Sequence, residues 1–198
     1  MKLALVSLLV AAAALGGCAA LNSVSAEVSS FGEWPAERKA SSYAFERLPS
    51  QQSQAAQADA LEAAARGALA KAGFKPAQAG EQPEVLVQVG LRANRYAVYP
   101  WADSWWFRGN FGYYRHGPWL APGFGFGMSL DPTRYEREVA VLIRDRSSGK
   151  PVFEARASNE SSNAGTGSAT LAALFEAALM DFPRLGMNPR RVVVPLPG

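Results

Sequence analysis

The sequence predicts an α+β domain: a mainly antiparallel sheet of about five strands, two helices packed on one face as a second layer, and a long aromatic and glycine-rich insertion loop. Three observations carry this expectation. Segments with an apolar residue at every second position are separated by two segments with apolar residues at helical spacing. One strand pair, YEREVAVLIRDRSSGKPVFEARASNES, folds back through a short polar turn. A chain of 198 residues, 19% charged and 48% hydrophobic, is globular in composition and long enough for one domain.

The chain opens with a segment that stands apart from that domain. Met1 and Lys2 give a short positive start, and LALVSLLVAAAA is an apolar run of about a dozen residues, too short to span a bilayer comfortably as a mature helix. It ends in Leu15-Gly16-Gly17-Cys18, which resembles the bacterial lipobox: a leucine three residues before the cysteine, two small residues, then a thiol able to accept a diacylglycerol. An ordinary secretory signal cleaved at a nearby alanine is the alternative. Cys18 is the only cysteine in the chain and sits at the foot of the apolar run, which favours the lipobox. The resemblance implies residues 1–17 as a lipoprotein signal peptide, cleavage between Gly17 and Cys18, and acylation of Cys18. Residues 18–23 become the lipidated cysteine and a short tether, and 24–198 a single domain. More than one acyl chain at Cys18 makes the bilayer a stable partner, each buried CH₂ adding about 0.8 kcal/mol. Ala19 stands where an inner-membrane retention signal has Asp. By analogy with enteric sorting, the expected location is the inner leaflet of the outer membrane, facing the periplasm. The few residues before the first strand reach no more than roughly 17 Å when extended, so the domain is expected close to the membrane surface.

Within the domain the elements follow in order. Val24, Ala26 and Val28 alternate with polar residues in NSVSAEVSSF, and Tyr43 and Phe45 share a face in SSYAFERL, giving two strands. SQAAQADALEAAARGALAKAGF is an alanine-rich helix with Ala58, Leu61, Ala65, Leu69 and Ala72 on one stripe, Ser50 or Ser53 as its cap and Gly73 as its end. EVLVQVGLRANRY is the clearest strand, with Val85, Val87, Val89 and Leu91 on its core face. After the aromatic segment come the two strands of the hairpin. Val139, Val141 and Ile143 alternate on the first, and Gly149 is available for positive φ in the turn. Ser168 caps a second helix carrying Leu171, Leu174, Phe175, Ala178 and Phe182, stopped by Pro183. RRVVVPL adds a short edge strand, since its prolines forbid a central one.

This succession resembles the bacterial lipoproteins of the domain-of-unknown-function family 4136. The resemblance rests on the lipobox, the early strand, the YAF strand and the alanine-rich helix ending in AGF. It continues through the PEVLVQV strand, the Tyr/Trp/Gly-rich insertion and the hairpin VLIRDRSSGKPVFEARAS before a final helix, about residues 24 to 183. It implies a fold and an envelope location, and names no catalytic or ligand residue.

Little in the chain points to catalysis. His116, the one histidine, lies in the insertion; Asp103 and several serines do not supply a G-x-S-x-G elbow around it. One histidine and one cysteine cannot build the ordinary structural zinc sets. Glu136 and Glu138 lie on one strand face, but beside Arg134 and Arg137 they read as a solvated edge with ion pairs. GFGFG lacks the spacing and the lysine of a phosphate loop. A formal charge of +3 without a basic run does not indicate nucleic acid. The expectation is therefore no enzymatic activity, no cofactor, no metal and no nucleic-acid partner.

The aromatic insertion, residues 99–127, holds eleven aromatic residues and four of the five tryptophans. Trp and Tyr combine rigid apolar faces with one polar handle each. Such a segment suits four roles: a lid over the open sheet face, contact with a protein partner, contact with the bilayer interface, or stacking on sugar rings. Trp101, Trp105, Trp106, Phe107, Tyr113, Tyr114 and Trp119 are the candidate contacts. The expected function is binding or scaffolding in the cell envelope through this segment, with an envelope protein as partner. A glycan-binding module for peptidoglycan or another envelope polysaccharide is the alternative.

Overall fold

The computed structural model describes residues 22–97, 133–162 and 167–197. In chain order they form β1 (Ser23–Phe31), β2 (Ser42–Phe45), α1 (Pro49–Gln52), α2 (Ala55–Lys71), β3 (Lys75–Pro76) and β4 (Val85–Ala97). Then come β5 (Thr133–Asp145), β6 (Pro151–Ser161), α3 (Ser168–Leu179) and β7 (Arg190–Pro195). The class is α+β, and among the described residues the strands join in one seven-stranded sheet of order β3-β2-β4-β5-β6-β1-β7.

Two expectations need correction. The sheet has seven strands rather than about five, and it is mixed: β1 pairs antiparallel with β6 and β7, while β2 pairs parallel with β3 and β4. The cause is the connection. After β2 the chain crosses through α2 before returning to the sheet, and such a crossover is what a parallel neighbour requires. The helix caps also differ. The serines expected to cap α2 lie before it, in and after α1; Ser53 Oγ donates to Ser50 O at 2.7 Å, and Gln54 occupies the cap position. Ser168 is the first helical residue of α3, with Gly167 as its cap.

The core follows the expected alternation. Val24, Ala26 and Val28 of β1, Val85, Val87 and Val89 of β4, and Val139, Val141 and Ile143 of β5 are all buried. They pack with Leu61, Ala65 and Leu69 of α2 and with Leu171, Leu174, Phe175 and Ala178 of α3. Alanine at so many helical contact positions removes bulk between backbones, so α2 and α3 approach closely. Gly73, at φ +93°, closes α2, and Phe74 N–H reaches Leu69 O at 2.9 Å while Gly73 N–H reaches Ala70 O at 3.0 Å. This paired C-terminal cap delivers Phe74 into the core. There Phe182 gathers Trp34, Phe74 and Phe153, with ring centroids 4.7, 4.9 and 5.1 Å away. Trp34 Nε1 donates to Arg38 O at 2.7 Å, so its one polar atom is satisfied.

The described residues form two compact units, a larger one from residues 22–92, 137–159 and 167–197 and a smaller one from residues 93–97, 133–136 and 160–162. Among the described residues no helix is long and apolar enough to cross a membrane.

Candidate functional site

Cys18 and Gly17, and the candidate contacts Trp101, Trp105, Trp106, Phe107, Tyr113, Tyr114 and Trp119, lie outside the described residues, as do His116 and Asp103. What is described is the frame from which they extend. In the larger unit, Leu196 N–H donates to Asn22 O at 2.8 Å, which ties the first described residue to the last strand. Asn159, where β6 leaves this unit, donates from Nδ2 to Ser25 O at 2.7 Å, beside the start of β1. β5 and β6 run antiparallel because only a short turn joins them, closed by Asp145 N–H to Lys150 O at 3.0 Å. The larger unit therefore receives β5 and releases β6 at the end of its sheet where β1 begins.

In the smaller unit, Asn94 Nδ2 donates to Glu136 Oε2 at 3.2 Å, and the Arg95 guanidinium lies 5.9 Å from the Tyr135 ring centroid. These contacts join the last residues of β4 to the first of β5, the two strand ends that flank residues 98–132. The sequence reading of a wholly solvated edge here is corrected at Arg137, only 2% exposed. Arg137 continues the odd-numbered series of β5 whose later members are Val139, Val141 and Ile143, so strand parity turns it to the core side.

Charged groups in the larger unit form ties between elements. Glu62, almost fully buried on α2, receives Arg47 Nε at 2.5 Å and Nη2 at 2.8 Å, and Asp59 receives the same Nη2 at 2.6 Å. Hydrogen bonds to Glu62 and then Asp59 hold the Arg47 pKa above its ordinary value. Sequence reading missed this pair; the only signal was a carboxylate next to Leu61 at the border of the apolar stripe. At the β5–β6 turn, Asp145 accepts from the Ser147 and Ser148 hydroxyls, from Ser148 N–H and from Arg38 Nη1. Ser147 first, then Ser148 and Arg38, keep its carboxyl well below the usual carboxylate range. Burial pushes the Tyr43 phenol up. Glu62 thus ties α2 to Arg47, and Asp145 ties the β5–β6 turn to Arg38.

A shallow groove of about 490 Å³ runs between α2 and α3, lined by residues such as Ala63, Gly67, Ala172 and Pro197. A second, of about 220 Å³, lies near Lys71, Glu176 and Phe182, where Lys71 and Glu176 pair at 2.7 Å. Among the described residues there is no group of three or more His, Cys, Asp or Glu side chains placed to hold a metal ion.

The model of the family described as domain of unknown function (DUF4136) matches residues 27–184. The chain belongs to the DUF4136 family. No curated protein matches it. Among solved structures, this DUF4136 chain is similar to a PDZ domain protein from Parabacteroides distasonis, at 12% identity and a TM-score of 0.48 over 87% of this chain and 39% of that one. It is also similar to the PelC dodecamer of Paraburkholderia phytofirmans in two crystal forms, at 14% and 15% identity and TM-scores of 0.36 and 0.38. Both comparisons cover 78% of this chain and 94% of that one.

Proposed function

We propose that this DUF4136 protein is a lipoprotein of the cell envelope, anchored through acylated Cys18 and facing the periplasm, most simply from the inner leaflet of the outer membrane. It has no enzymatic activity. It acts by binding or scaffolding, through the aromatic segment 99–127, and its partner is an envelope protein. The observation that supports this most is the strand polarity of the larger unit. The lipobox-like Leu15-Gly16-Gly17-Cys18 ends only four residues before Asn22, at the end of the sheet where β5 enters and β6 leaves. The residue that follows the tether and the strand that follows residues 98–132 thus both enter that unit at one end. Trp and Tyr suit this setting, because an amphipathic ring tolerates the interface between headgroups and water.

A photoreactive group at Trp105 or Trp106, activated in intact cells, tests the partner. Crosslinks to one defined envelope protein are expected. Muropeptides in the crosslinked product contradict this and favour glycan binding; phospholipid adducts alone contradict any partner beyond the membrane.

A further inference from the structure

The groove between α2 and α3 lies beside the place where the N-terminal segment joins the fold. Gly67 and Ala172 share this groove, and about one turn further along both helices Lys71 pairs with Glu176 at 2.7 Å. The two helices therefore run in the same direction. Another part of the wall is Pro197, which follows Leu196, and Leu196 N–H donates to Asn22 O at 2.8 Å. The β1–β7 register pairs Ser23 with Pro195; continued past Asn22 and Leu196, it sets position 21 opposite Pro197. The chain thus enters the fold next to the groove. The segment and the groove also match in chemistry. Ser168 is the one polar side chain among the described residues that line the groove, the others being alanine, glycine and proline. Ala19-Ala20-Leu21, between Cys18 and Asn22, carries no polar side chain. They match in length as well. From Ala60 to Gly67 the groove follows α2 for about 10 Å, and three extended residues cover about 10 Å. The space at Gly67 is open, since a Cβ there would meet nothing within 4 Å.

We infer that this groove is the docking site for the chain's own residues 19–21, which fold back along it from Asn22. Leu21 is the one large apolar side chain of the segment, and its removal from water drives the seating. The groove is shallow, so the backbone groups of the segment keep water on their open side. Two other occupants fit less well. A stable dimer takes about 800 Å² from each partner, more than a groove of this length supplies. An acyl chain on Cys18 has apolar neighbours on every side in the bilayer; in the groove it would keep them on one side only. For a chain acylated at Cys18, seating the segment brings the lipid out between α2 and α3. These two helices then stand next to the membrane, with only Cys18 between them and the bilayer.

Site-specific photocrosslinking in the full chain tests this. A diazirine side chain in place of Leu21, photolysed in membranes of cells expressing the chain, should give an intramolecular product. Its linked peptides should contain residues 60–67 or 168–172. Gly67→Leu, which fills the groove at an exposed position, should remove most of that product. Ala70→Leu, exposed on α2 outside the groove, should leave it unchanged. Linkage to phospholipid alone overturns the inference, and so does linkage to a co-expressed, epitope-tagged second copy. An intramolecular product that persists in Gly67→Leu at the parent's yield overturns it as well. Crosslinks to the groove from a diazirine fatty acid on Cys18, with none from position 21, name the acyl chain as occupant and overturn it too. The product from position 21 is read whether or not Cys18 is acylated, so failure of the anchor reading is distinct from failure of this one.

Discussion

The side chain of Asn188 completes the β1–β7 ladder at Ser30: Oδ1 accepts from Ser30 N–H at 2.8 Å and Nδ2 donates to Ser30 O at 2.5 Å. Continued beyond Arg190, the β1–β7 register would set residue 188 opposite Ser30, and there the Asn188 carboxamide rather than its backbone supplies both groups. Gly186 N–H adds a bond to Ser30 Oγ at 3.3 Å, so the segment between α3 and β7 is held down at Ser30. Asn188→Ala should cost about 1–3 kcal/mol, the usual loss when partly buried backbone groups are stripped of their partners. Asn188→Asp, which sets a carboxylate oxygen against Ser30 O where the amide donated, should cost at least as much. Urea unfolding of the two variants checks the order.

Two glycines should respond to alanine with opposite signs. Gly32 sits at φ +124°, and a Cβ there would lie 2.6 Å from Val152 O. Gly32→Ala is expected to destabilise by more than about 1 kcal/mol. Gly67 lies within α2, where a Cβ would meet nothing within 4 Å. Gly67→Ala should stabilise by about 0.5–1 kcal/mol through helix propensity. Thermal melts of the two variants, compared with the parent, provide the check.

The depressed carboxyl of Asp145 makes stability depend on pH in a definite direction. A folded-state pKa below the unfolded value means stabilisation that is fully present above the ordinary carboxylate pKa of about 4. It is lost as pH falls through the lower folded value. Asp145→Asn should therefore flatten the acid side of the stability profile while leaving its shape near neutrality unchanged. Unfolding midpoints measured between neutral and strongly acidic pH decide it; an unaltered acid limb contradicts the assignment.

Glu62→Gln keeps the shape of the buried side chain but removes its charge from Arg47. A charge-assisted pair at this burial should cost about 1–3 kcal/mol to weaken, and Arg47→Ala a similar amount. The double variant should lose less than the sum of the two, since the second change removes a group already without its partner. A double-mutant cycle by chemical denaturation measures that coupling.

These cases show what local sequence can and cannot carry. β1, β4, β5 and β6 were legible because alternation is local and each apolar series is buried as expected. Gly73 and Gly149 were legible because positive φ selects glycine, and both have it. β7 was legible as an edge strand because its prolines excluded a central one. β3 was not: Lys75–Pro76 is two exposed residues, too short for any period. Glu62, Arg137 and Asn188 were missed for another reason. Glu62 and Asn188 are explained by a partner elsewhere in the chain, as with Asn188 and Ser30, 158 residues apart, and Arg137 is a charged residue on the buried parity of its strand. The candidate contacts from Trp101 to Trp119 were chosen on residue type and composition, without a periodicity that could assign each ring a face.

The anchor is the central claim, and metabolic labelling with a clickable fatty acid tests it most directly. Cells expressing the parent chain should give a labelled protein that begins at Cys18, confirmed by mass spectrometry of its N-terminal peptide. Cys18→Ser should give an unlabelled chain that keeps residues 1–17, because a hydroxyl does not accept the lipid transfer that precedes cleavage. Label retained in Cys18→Ser, or a parent chain cleaved elsewhere with an unmodified thiol at Cys18, would contradict the account.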